Sequence, residues 1–496
     1  MRFIEPGGRA GRPFNAWITR WPLLGGITLA TVLDERGYDA GVYNENISGP
    51  LEANEPARQD VLSADVIGIG IMTATARRGY ELAQWIKRLA PQVTVVLGGV
   101  HATMMPQEAA QYGDVVVCGE GETVIEAIAA GQITHGIVRA EPLADLDALP
   151  TLNHFLMRDF DKLLASYRKR PLYELPLMTS RGCPHACTYC SVTRMFGRQV
   201  RRQSVEKVMR DLEHYASQGF EQFFFYDDNF MTDREWTTRL MERTRPMHID
   251  FKAQARIDFH WLDRQRRQQD TAMLRALRRG GARLLFVGYE TLDEATAKGW
   301  HKGYAGPAGL EQRMVQDTRI LHDAGLWLHG MFVLGPEHTA QTAEHIIDFA
   351  KSVRMETLQI SILTPLPGTP LLDQMRPHLF FTDFPNDWDF FDGAHCVYDH
   401  GRLGIEETQR AVLSAHRRFY RSCSLNPRVI RAQLGPRPLT VVDKLRDMWW
   451  GVKTAREIMG NWRREIDEFA TQVQRRRREA ARPKLPIELS PEPVAK

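Results

Sequence analysis

The sequence predicts an α/β protein with a doubly wound, Rossmann-like N-terminal domain, a partial (β/α)6 barrel of the TIM type and a mainly helical C-terminal region. Two observations predict this fold. Short apolar runs alternate with helical stretches over most of the chain, which is the order of consecutive βαβ units. The apolar runs are also continuous rather than alternating, which is typical of parallel strands covered by helices on both faces.

Length and composition set the broad class. At 496 residues the chain is too long for one hydrophobic core, so several domains are expected. Hydrophobic residues make up 43% and charged residues 25%, and a net charge of +3 favours no nucleic acid partner. Six cysteines in so long a chain argue against a secreted disulfide scaffold. We find no signal-peptide core and no apolar run of ~18 residues, so the expected location is the cytoplasm.

Residues 1–140 carry the doubly wound pattern, in which apolar runs predict strands and amphipathic stretches predict helices. The strands are predicted in MRFIEP, DAGVYNE, ADVIGIGIMT, VTVVLGG and DVVVCGEGE, and the helices in PLLGGITLATVLDERG, YELAQWIKRLAP, PQEAAQYG and TVIEAIAAG. An open parallel sheet binds its ligand beyond the carboxyl ends of the strands, where the strand order reverses. The ligand of this domain is therefore expected at that edge.

Residues 141–174 are predicted to be a linker, and residues 175–380 a second α/β series. Its six strands are predicted in YELPLMTS, QFFFYDD, FKAQARI, RLLFVGYE, LWLHGMFVLG and LQISILTPLPG. Six βα units predict an incomplete barrel whose active site lies at the carboxyl ends of the strands. Residues 381–480 are predicted to be mainly helical, and the Pro-rich residues 481–496 a disordered tail.

The motif TSRGCPHACTYCS holds Cys183, Cys187 and Cys190 with the spacing C-x3-C-x2-C. It follows the first strand of the second series, in a loop opened by Gly182. Such a loop can bring three thiolates to one face of an iron–sulfur cube, where one iron then keeps an open position. The alternatives are a zinc knuckle with a distant fourth ligand and three incidental buried cysteines.

With Tyr189 as the aromatic residue before the last cysteine, this motif and its strand context resemble the radical S-adenosylmethionine (radical SAM) superfamily. The resemblance implies that Cys183, Cys187 and Cys190 hold a 4Fe-4S cluster and that S-adenosylmethionine chelates the fourth iron. It also implies one-electron cleavage of the sulfonium to a 5′-deoxyadenosyl radical, which removes hydrogen from unactivated carbon. The electron would come from an external donor such as flavodoxin or ferredoxin.

The resemblance extends to other strand ends and implies contacts with S-adenosylmethionine. Tyr189 would lie near the adenine. Asp228 and Asn229, in YDDNF, would accept hydrogen bonds from the methionine ammonium, although the Gly-Gly-Glu usual at that position is absent. Arg256 would pair with the methionine carboxylate, and Glu290, in GYE, would bind the ribose or the ammonium. For each residue the alternative is that it merely ends a strand.

A doubly wound domain before such a core resembles the cobalamin-binding subgroup of the superfamily. The loops IGIGIMTAT, LGGVHAT and GEGE carry the likeness, and Gly98 and Gly99 would let the backbone approach the cofactor. His101 is a further candidate contact, for which a loop hydrogen bond is the simpler interpretation and cobalt ligation is not expected. The Asp-x-His-x-x-Gly motif of many cobalamin domains is absent. Alternatively, the glycines only allow tight βα turns. The domain could then be empty and bind no cobalamin.

The C-terminal region resembles that of relatives that modify hopanoids and other isoprenoid lipids. In this interpretation Trp388, Asp389 and Phe391 line the mouth of a substrate cavity, and a loop that covers the barrel is the alternative. The apolar residues 448–450 and the basic residues 475–478 suggest peripheral contact with an anionic membrane, or only a solvated helix. Nucleic acid binding is not expected, because the basic run lacks interleaved aromatic residues.

The leading hypothesis is a radical SAM enzyme that methylates an unactivated carbon of a small molecule, a lipid or a secondary metabolite. Methylcobalamin, held between the two α/β domains, would be the methyl donor. The first alternative is a radical SAM enzyme with an empty cobalamin domain that forms, cyclises or rearranges carbon–carbon bonds. The second alternative is a non-catalytic iron–sulfur or cobalamin-binding protein.

Overall fold

The computed structural model describes residues 1–9, 21–167, 173–263, 265–303, 308–423 and 441–481. For residues 422–423, 441–459 and 481 it describes the backbone only. The described strands form two parallel sheets and one short antiparallel ribbon. The strands are β1 (Arg2–Glu5), β2 (Gly41–Asn44), β3 (Val66–Gly70), β4 (Thr94–Gly98), β5 (Val115–Cys118), β6 (Gly136–Arg139), β7 (Glu174–Leu177), β8 (Ser180–Arg181), β9 (Arg201–Arg202), β10 (Gln222–Phe225), β11 (Asp250–Arg256), β12 (Ala282–Glu290), β13 (Trp327–Leu334) and β14 (Thr357–Ile362).

Helices connect most of these strands and cover both sheets. They are α1 (Leu24–Asp34), α2 (Glu45–Ser48), α3 (Glu55–Leu62), α4 (Ala76–Leu89), α5 (Val100–Met104), α6 (Pro106–Ala109), α7 (Ile125–Ala129), α8 (Phe160–Ser166), α9 (Val192–Met195), α10 (Val205–Ser217), α11 (Arg234–Thr244), α12 (Thr271–Arg279), α13 (Glu294–Gly299), α14 (Leu310–Asp323), α15 (Ala340–Ser352), α16 (Pro370–Met375), α17 (Ile405–Cys423) and α18 (Val441–Ala481).

The first sheet has the strand order β2-β1-β3-β4-β5-β6, and all its strands are parallel. Successive residues of a strand bury opposite faces: Val96 packs in one core cluster, and Val95 and Leu97 pack in another. The predicted doubly wound fold is confirmed. The strand β6 was not predicted, because it is a half-exposed edge strand without a continuous apolar run.

The second sheet has the order β14-β13-β12-β11-β10-β7, again with every pair parallel. All six strands predicted for residues 175–380 are present. Within the described residues its edge strands β7 and β14 do not pair with each other, so the barrel is partial, as predicted. Side-chain caps fix where its helices begin, because Ser204, Asp233 and Asp270 accept hydrogen bonds from backbone N–H groups of α10, α11 and α12.

The concave face of the second sheet is partly aromatic. Phe223 and Phe225 of β10 face the covering helices, so Phe224 faces the other way, into the barrel. There Trp21 meets Phe224 and Phe286 edge to face, with ring centroids 4.8 and 6.3 Å apart. The chain just before α1 of the first domain therefore reaches into the barrel, which the sequence did not indicate.

The segment predicted as a linker packs as part of the core. Phe160, Leu163 and Leu164 of α8 are buried, and Met157 forms a bridge to Val42 of β2. This part of the predicted linker therefore packs on β2 of the first domain.

The aromatic segment after residue 380 also belongs to the core, so Trp388 and Phe391 do not line a substrate mouth, whereas Asp389 borders the charged cleft described below. Trp388 and Phe391 are each 1% exposed. The Trp388 Nε1–H donates to Glu108 of α6 at 2.9 Å, and Asp389 pairs with Arg77 at 3.2 Å. This segment is a covering loop that joins the C-terminal region to the first domain.

The basic run of α18 lies partly against the protein body. Arg476 donates to both oxygens of the buried Asp387, and Arg477 pairs with Asp399 and Glu406. These ion pairs favour a structural role for the run over membrane contact. The side chains of residues 448–450 lie outside the described residues. In the described part of the chain no helix is both long enough and apolar enough to cross a membrane.

His154 makes the fold sensitive to acid. Its Nε2 bonds to Pro176 O of β7 at 3.2 Å, and burial lowers the pKa of its imidazole to about 4. The folded state disfavours the protonated ring, so above pH 6.5 this histidine does not lower the free energy of unfolding. As the pH drops toward 4, the free energy of unfolding falls by about 3 kcal/mol. We expect His154→Gln to reduce the loss of melting temperature over this interval. The exposed His135→Gln is the control, and equal pH slopes for the two variants would contradict the assignment.

Candidate active site

The cysteine motif is a loop held at both ends by the ribbon of β8 and β9, which was not predicted. Gly182 opens the loop with φ +94°, and a Cβ there would lie 2.4 Å from Gln199 O on the returning strand. The Cys183 N–H donates to Gly197 O at 3.3 Å, and the Cys190 N–H donates to Cys187 O at 3.2 Å. The ribbon and the glycine therefore fold residues 182–200 back on themselves.

The three thiols are close enough to perturb each other. Burial raises the pKa of Cys190 to about 12, with smaller contributions from Cys187, Asp228 and Cys183. Burial also raises the pKa of Cys183, together with the nearby Asp228 and Cys187. Three adjacent thiolates therefore need a positive charge among them. The iron ions of a cluster supply that charge, so the donor set fits the group that the sequence predicted.

The described side chains do not form a ready-made site for a single metal ion. Among the described residues, no three His, Cys, Asp or Glu side chains stand close enough together to ligate one metal ion. Thiolates that bind different irons of a cube stand farther apart than the ligands of one zinc ion. The zinc alternative receives no support from this arrangement.

Asp228 and Asn229 lie at the end of β10, as predicted, and each has an acceptor without a donor. Asp228 Oδ2 and Asn229 Oδ1 are buried and accept no hydrogen bond from any described residue. Burial, reinforced by the neighbouring Asp227, raises the pKa of Asp228 to about 7. Asp227 itself is fully occupied, since it accepts from Thr179 N and Oγ1 at 2.7 and 2.6 Å. The open pair fits an incoming ammonium group, as S-adenosylmethionine carries.

Arg256 ends β11 and lies near the cysteine loop, since its charge lowers the pKa of His185 after the larger effect of burial. Its guanidinium already makes a two-pronged contact with Asp258, with Nε–Oδ1 at 3.0 Å and Nη2–Oδ2 at 3.2 Å. The predicted pairing of Arg256 with a methionine carboxylate therefore has a competitor within the chain, which sequence order did not identify.

Glu290 ends β12 in a left-handed conformation, with φ +63°. Lys302 Nζ donates to its Oε1 at 2.8 Å, and both side chains are buried. A Cβ at Gly288 would lie 2.4 Å from the same oxygen. Lys302 belongs to no motif, so the sequence offered no signal for it. Glu290 is therefore a rigid hydrogen-bond acceptor at the strand ends, because its backbone is strained and the Lys302 ammonium holds its carboxylate.

Tyr189, predicted to lie near the adenine, belongs to an aromatic wall beside the cysteine loop. Its ring meets Trp300 edge to face at 5.8 Å, and Trp300 meets His338 at 5.7 Å. Gly335 makes room for the Trp300 ring, which would lie 2.8 Å from a Cβ there. Trp300 and His338 were not singled out from the sequence, because they come from different strand ends.

The two glycines of LGGVHAT have different roles. Gly99 has φ +91°, and a Cβ would lie 2.8 Å from Ile71 O at the end of β3, so Gly99 is needed for the turn itself. A Cβ at Gly98 would meet no described atom within 4 Å. Gly98 thus borders open space at the end of β4, where a bulky cofactor can approach the backbone. This space fits the predicted cobalamin site.

His101 does not reach that space. Its side chain is fully buried, with Nδ1 3.3 Å from Thr73 Oγ1 and Nε2 3.1 Å from Glu108 Oε1. Both ring nitrogens are therefore engaged inside the domain, and the loop hydrogen bond is the role that the structure supports. A side-chain contact of His101 with cobalamin would require that network to break.

The two α/β domains meet at their strand ends. Gly368 of PLPGT packs on Met104 of α5, whose Sδ lies 2.4 Å from the position of a Cβ at Gly368. The Leu371 N–H donates to Thr188 O of the cysteine loop at 3.2 Å. The end of the sixth barrel strand thus contacts both the cysteine loop and the first domain.

A separate charged cleft of about 840 Å3 lies beside the ends of β1 and β2. Its walls include Gly7, Arg77 and Arg78 of the first domain and Glu468 and Arg475 of α18. It shares no lining residue with the cysteine loop. The cleft therefore borders the first domain on the side of α18, apart from the cluster site.

Comparison with known proteins agrees with this geometry. A family model described as the B12 binding domain matches residues 19–129, and one described as the Radical SAM superfamily matches residues 177–350. The chain is thus a radical SAM protein with an N-terminal B12-binding domain. It is an enzyme of that class, and its cofactors are a 4Fe-4S cluster, S-adenosylmethionine and cobalamin.

Individual relatives span most of the chain. The bacteriochlorophyllide d C-12(1)-methyltransferase of Chlorobaculum tepidum is 25% identical over 431 residues, covering 86% of this chain and 88% of its own. The anaerobic magnesium-protoporphyrin IX monomethyl ester cyclase of Cereibacter sphaeroides is 24% identical, covering 84% and 70%. The cobalamin-dependent S-adenosylmethionine radical enzyme OxsB with aqua-cobalamin bound has a TM-score of 0.66 at 15% identity, covering 92% and 71%, and it shares the fold.

Gly182→Ala tests how the cysteine loop is held. The new Cβ collides with Gln199 O at 2.4 Å, whereas Gly197→Ala, also at positive φ, meets no described atom within 4 Å. We expect Gly182→Ala to lower the iron content after reconstitution severely. Gly197→Ala costs about 1 kcal/mol of backbone strain and keeps its cluster. Equal iron contents would show that the close approach at Gly182 does not shape the loop.

Gly98→Ala and Gly99→Ala separate the cofactor space from the turn. Gly99→Ala is expected to lower thermal stability by about 1–3 kcal/mol, because it is strained and collides with Ile71 O. Gly98→Ala is expected to leave the melting temperature unchanged but to weaken cobalamin binding about tenfold by filling the open space. Absorbance titration with cobalamin checks this. Unchanged binding by Gly98→Ala would place the cofactor elsewhere.

Proposed function

We propose that this enzyme methylates an unactivated carbon of a small molecule with cobalamin as the methyl carrier. The observation that carries the proposal is the unsatisfied acceptor pair Asp228 and Asn229, buried near the cysteine loop of a chain that also carries a B12-binding domain. A 25% identical methyltransferase that aligns over 86% of the chain supports it.

When bound, the cluster and S-adenosylmethionine supply a carbon radical for hydrogen abstraction, and cobalamin supplies a methyl group. The chain's own residues bind and orient. Asp228 and Asn229 would accept hydrogen bonds from the ammonium, and the wall of Tyr189 and Trp300 would contact the adenine. Glu290, fixed by Lys302, is a rigid acceptor for the ribose. Gly98 leaves the space in which the corrin approaches the first domain.

We propose a planar, largely apolar ring system as the substrate. The concave face of the barrel carries Phe224 and Phe286, on which Trp21 packs, and flat aromatic side chains favour stacking with flat rings. Polar residues of β11, such as Lys252 and Gln254, line the same face. The names of the methyltransferase and the cyclase described above both specify a tetrapyrrole substrate. A lipid substrate remains the alternative from the sequence.

The cyclase relative favours one other reaction type. In that case the same radical chemistry closes a ring instead of adding a methyl group. The two reactions differ in whether a methyl group from S-adenosylmethionine appears in the product. Incubation with S-adenosylmethionine labelled in its methyl group and candidate tetrapyrroles therefore distinguishes them, because only methylation transfers the label.

An external one-electron donor fits the rim of the cysteine loop. Pro184 and Ala186 at the tip of the loop are exposed, and Arg194, Arg198 and Lys298 are exposed around it. Arg198 also donates to Pro184 O at 3.0 Å, so its charge lies at the tip. A basic rim next to the cluster favours an acidic donor, as flavodoxins and ferredoxins are.

Cys187→Ala tests the function directly. It removes one iron ligand, so anaerobically reconstituted protein is expected to lose the 4Fe-4S absorption and the reductive cleavage of S-adenosylmethionine to 5′-deoxyadenosine. The buried Cys396→Ala, whose thiol lies 3.4 Å from Tyr398 O in the C-terminal region, is the matched control and keeps both. Cleavage that survives Cys187→Ala, or is absent from the wild-type protein, would refute the proposal.

A further inference from the structure

A group of four buried charges joins the first domain to the cysteine loop. Glu120 and Glu122 follow β5, and Arg181 and Arg201 lie on β8 and β9. Arg181 Nη1 lies 2.5 Å from Glu120 Oε2, Arg181 Nη2 lies 2.6 Å from Glu122 Oε1, and Arg201 Nη1 donates to Glu120 Oε2 at 3.0 Å. All four side chains are at most 12% exposed. We call these four residues the ion cluster.

The ribbon depends on both glutamates. Arg181 and Arg201 are direct partners across the antiparallel pair, so their side chains leave the same face and their charges repel. Two carboxylates of the first domain balance the two guanidinium groups. Burial alone would raise the pKa of Glu120, but its hydrogen bond with Arg201 and the charge of Arg181 hold the pKa below its ordinary value. Each charge of the ion cluster is therefore matched.

The opposite face of the ribbon contacts the barrel. Ser180 and Arg202, the other cross-strand pair, point away from the ion cluster. Ser180 Oγ donates to Asp227, and Arg202 Nη2 donates to Thr232 Oγ1 at 2.5 Å. Asp227 precedes the open acceptors Asp228 and Asn229. One ribbon of two residues per strand thus touches the loop after β5, the cysteine loop and the end of β10.

We propose that Glu120, Arg181 and Arg201 are positioning residues that set where the iron–sulfur loop stands relative to the cobalamin domain. This inference rests on the proposed function. The ribbon brackets residues 182–200, so a shift of either strand moves the cysteines. Because Glu120 lies beyond the carboxyl end of β5, the edge at which the cobalamin domain binds its cofactor, it fixes the ribbon to that edge.

The first test needs no cofactor. Hydrogen–deuterium exchange of the full-length apoprotein compares Glu120→Gln with the wild type over peptides from residues 182–200. Loss of a buried charged hydrogen bond is expected to speed exchange there about tenfold or more while β11 and β12 stay unchanged. Glu126→Gln, which breaks an exposed pair with Arg36 in the same domain, is the control and changes nothing.

The second test separates positioning from a merely structural role. In protein loaded with cluster and cobalamin, electron paramagnetic resonance measures the magnetic interaction between the reduced cluster and cob(II)alamin, which depends on their separation. Glu120→Gln is expected to bind both groups at wild-type stoichiometry but to change this interaction, and Glu126→Gln is expected to preserve it. The inference would be overturned if Glu120→Gln matched Glu126→Gln both in the exchange rate of residues 182–200 and in the magnetic interaction.

Two further variants test the positioning role if Glu120→Gln does not fold. Glu120→Gln/Arg201→Gln restores the charge balance, and Glu120→Asp keeps the charge on a shorter side chain. Both are expected to fold and to show the altered magnetic interaction, and wild-type behaviour in both would refute the positioning role. If the wild-type protein binds no cluster or no cobalamin, the proposed function fails, while the exchange experiment still tests the ribbon independently.

Discussion

The active site depends on one constraint, the attachment of the cysteine loop to two different sheets. The loop has no extended secondary structure of its own, and its closing ribbon has only two residues per strand. Such a ribbon is not stable alone. It is held because Glu120 neutralises one face and Asp227 accepts hydrogen bonds on the other. The position of the cysteines is therefore a property of the interface between the domains.

The same principle explains the other parts of the site. Parallel sheets place all carboxyl strand ends at one edge, and loops that follow those ends in the two sheets contact each other. The loops then come from distant parts of the sequence, such as Met104 against Gly368. Under the proposed function, loops from the two sheets would hold the two cofactors.

Much of this protein was predictable because the signals are local. The six barrel strands are apolar runs next to capped helices, and the cysteine spacing, with its loop and strand context, predicts a cluster. Asp228 and Asn229 were predicted because YDDNF, near the end of a strand, resembles a stretch of the family. Lys302, Trp300 and Arg181 were not, because their importance lies in partners that are 12, 111 and 61 residues away. Trp388 was misplaced because an aromatic and acidic segment suits either a cavity mouth or a covering loop.

The sequence by itself determined the class of protein, since the succession of strands and helices, the helix caps and the thiol spacing are set by residues close together in the chain. Only the tertiary structure decided which candidate side chains are open to a ligand. Gly98 and Gly99 are consecutive glycines that the sequence does not distinguish. In the structure, Gly98 borders free space and Gly99 forms a turn against Ile71. Asp227 and Asp228 are adjacent, yet one is saturated and the other has an open oxygen. The reason is physical: hydrogen-bond saturation and free volume depend on every residue that packs nearby, and those residues come from the whole chain.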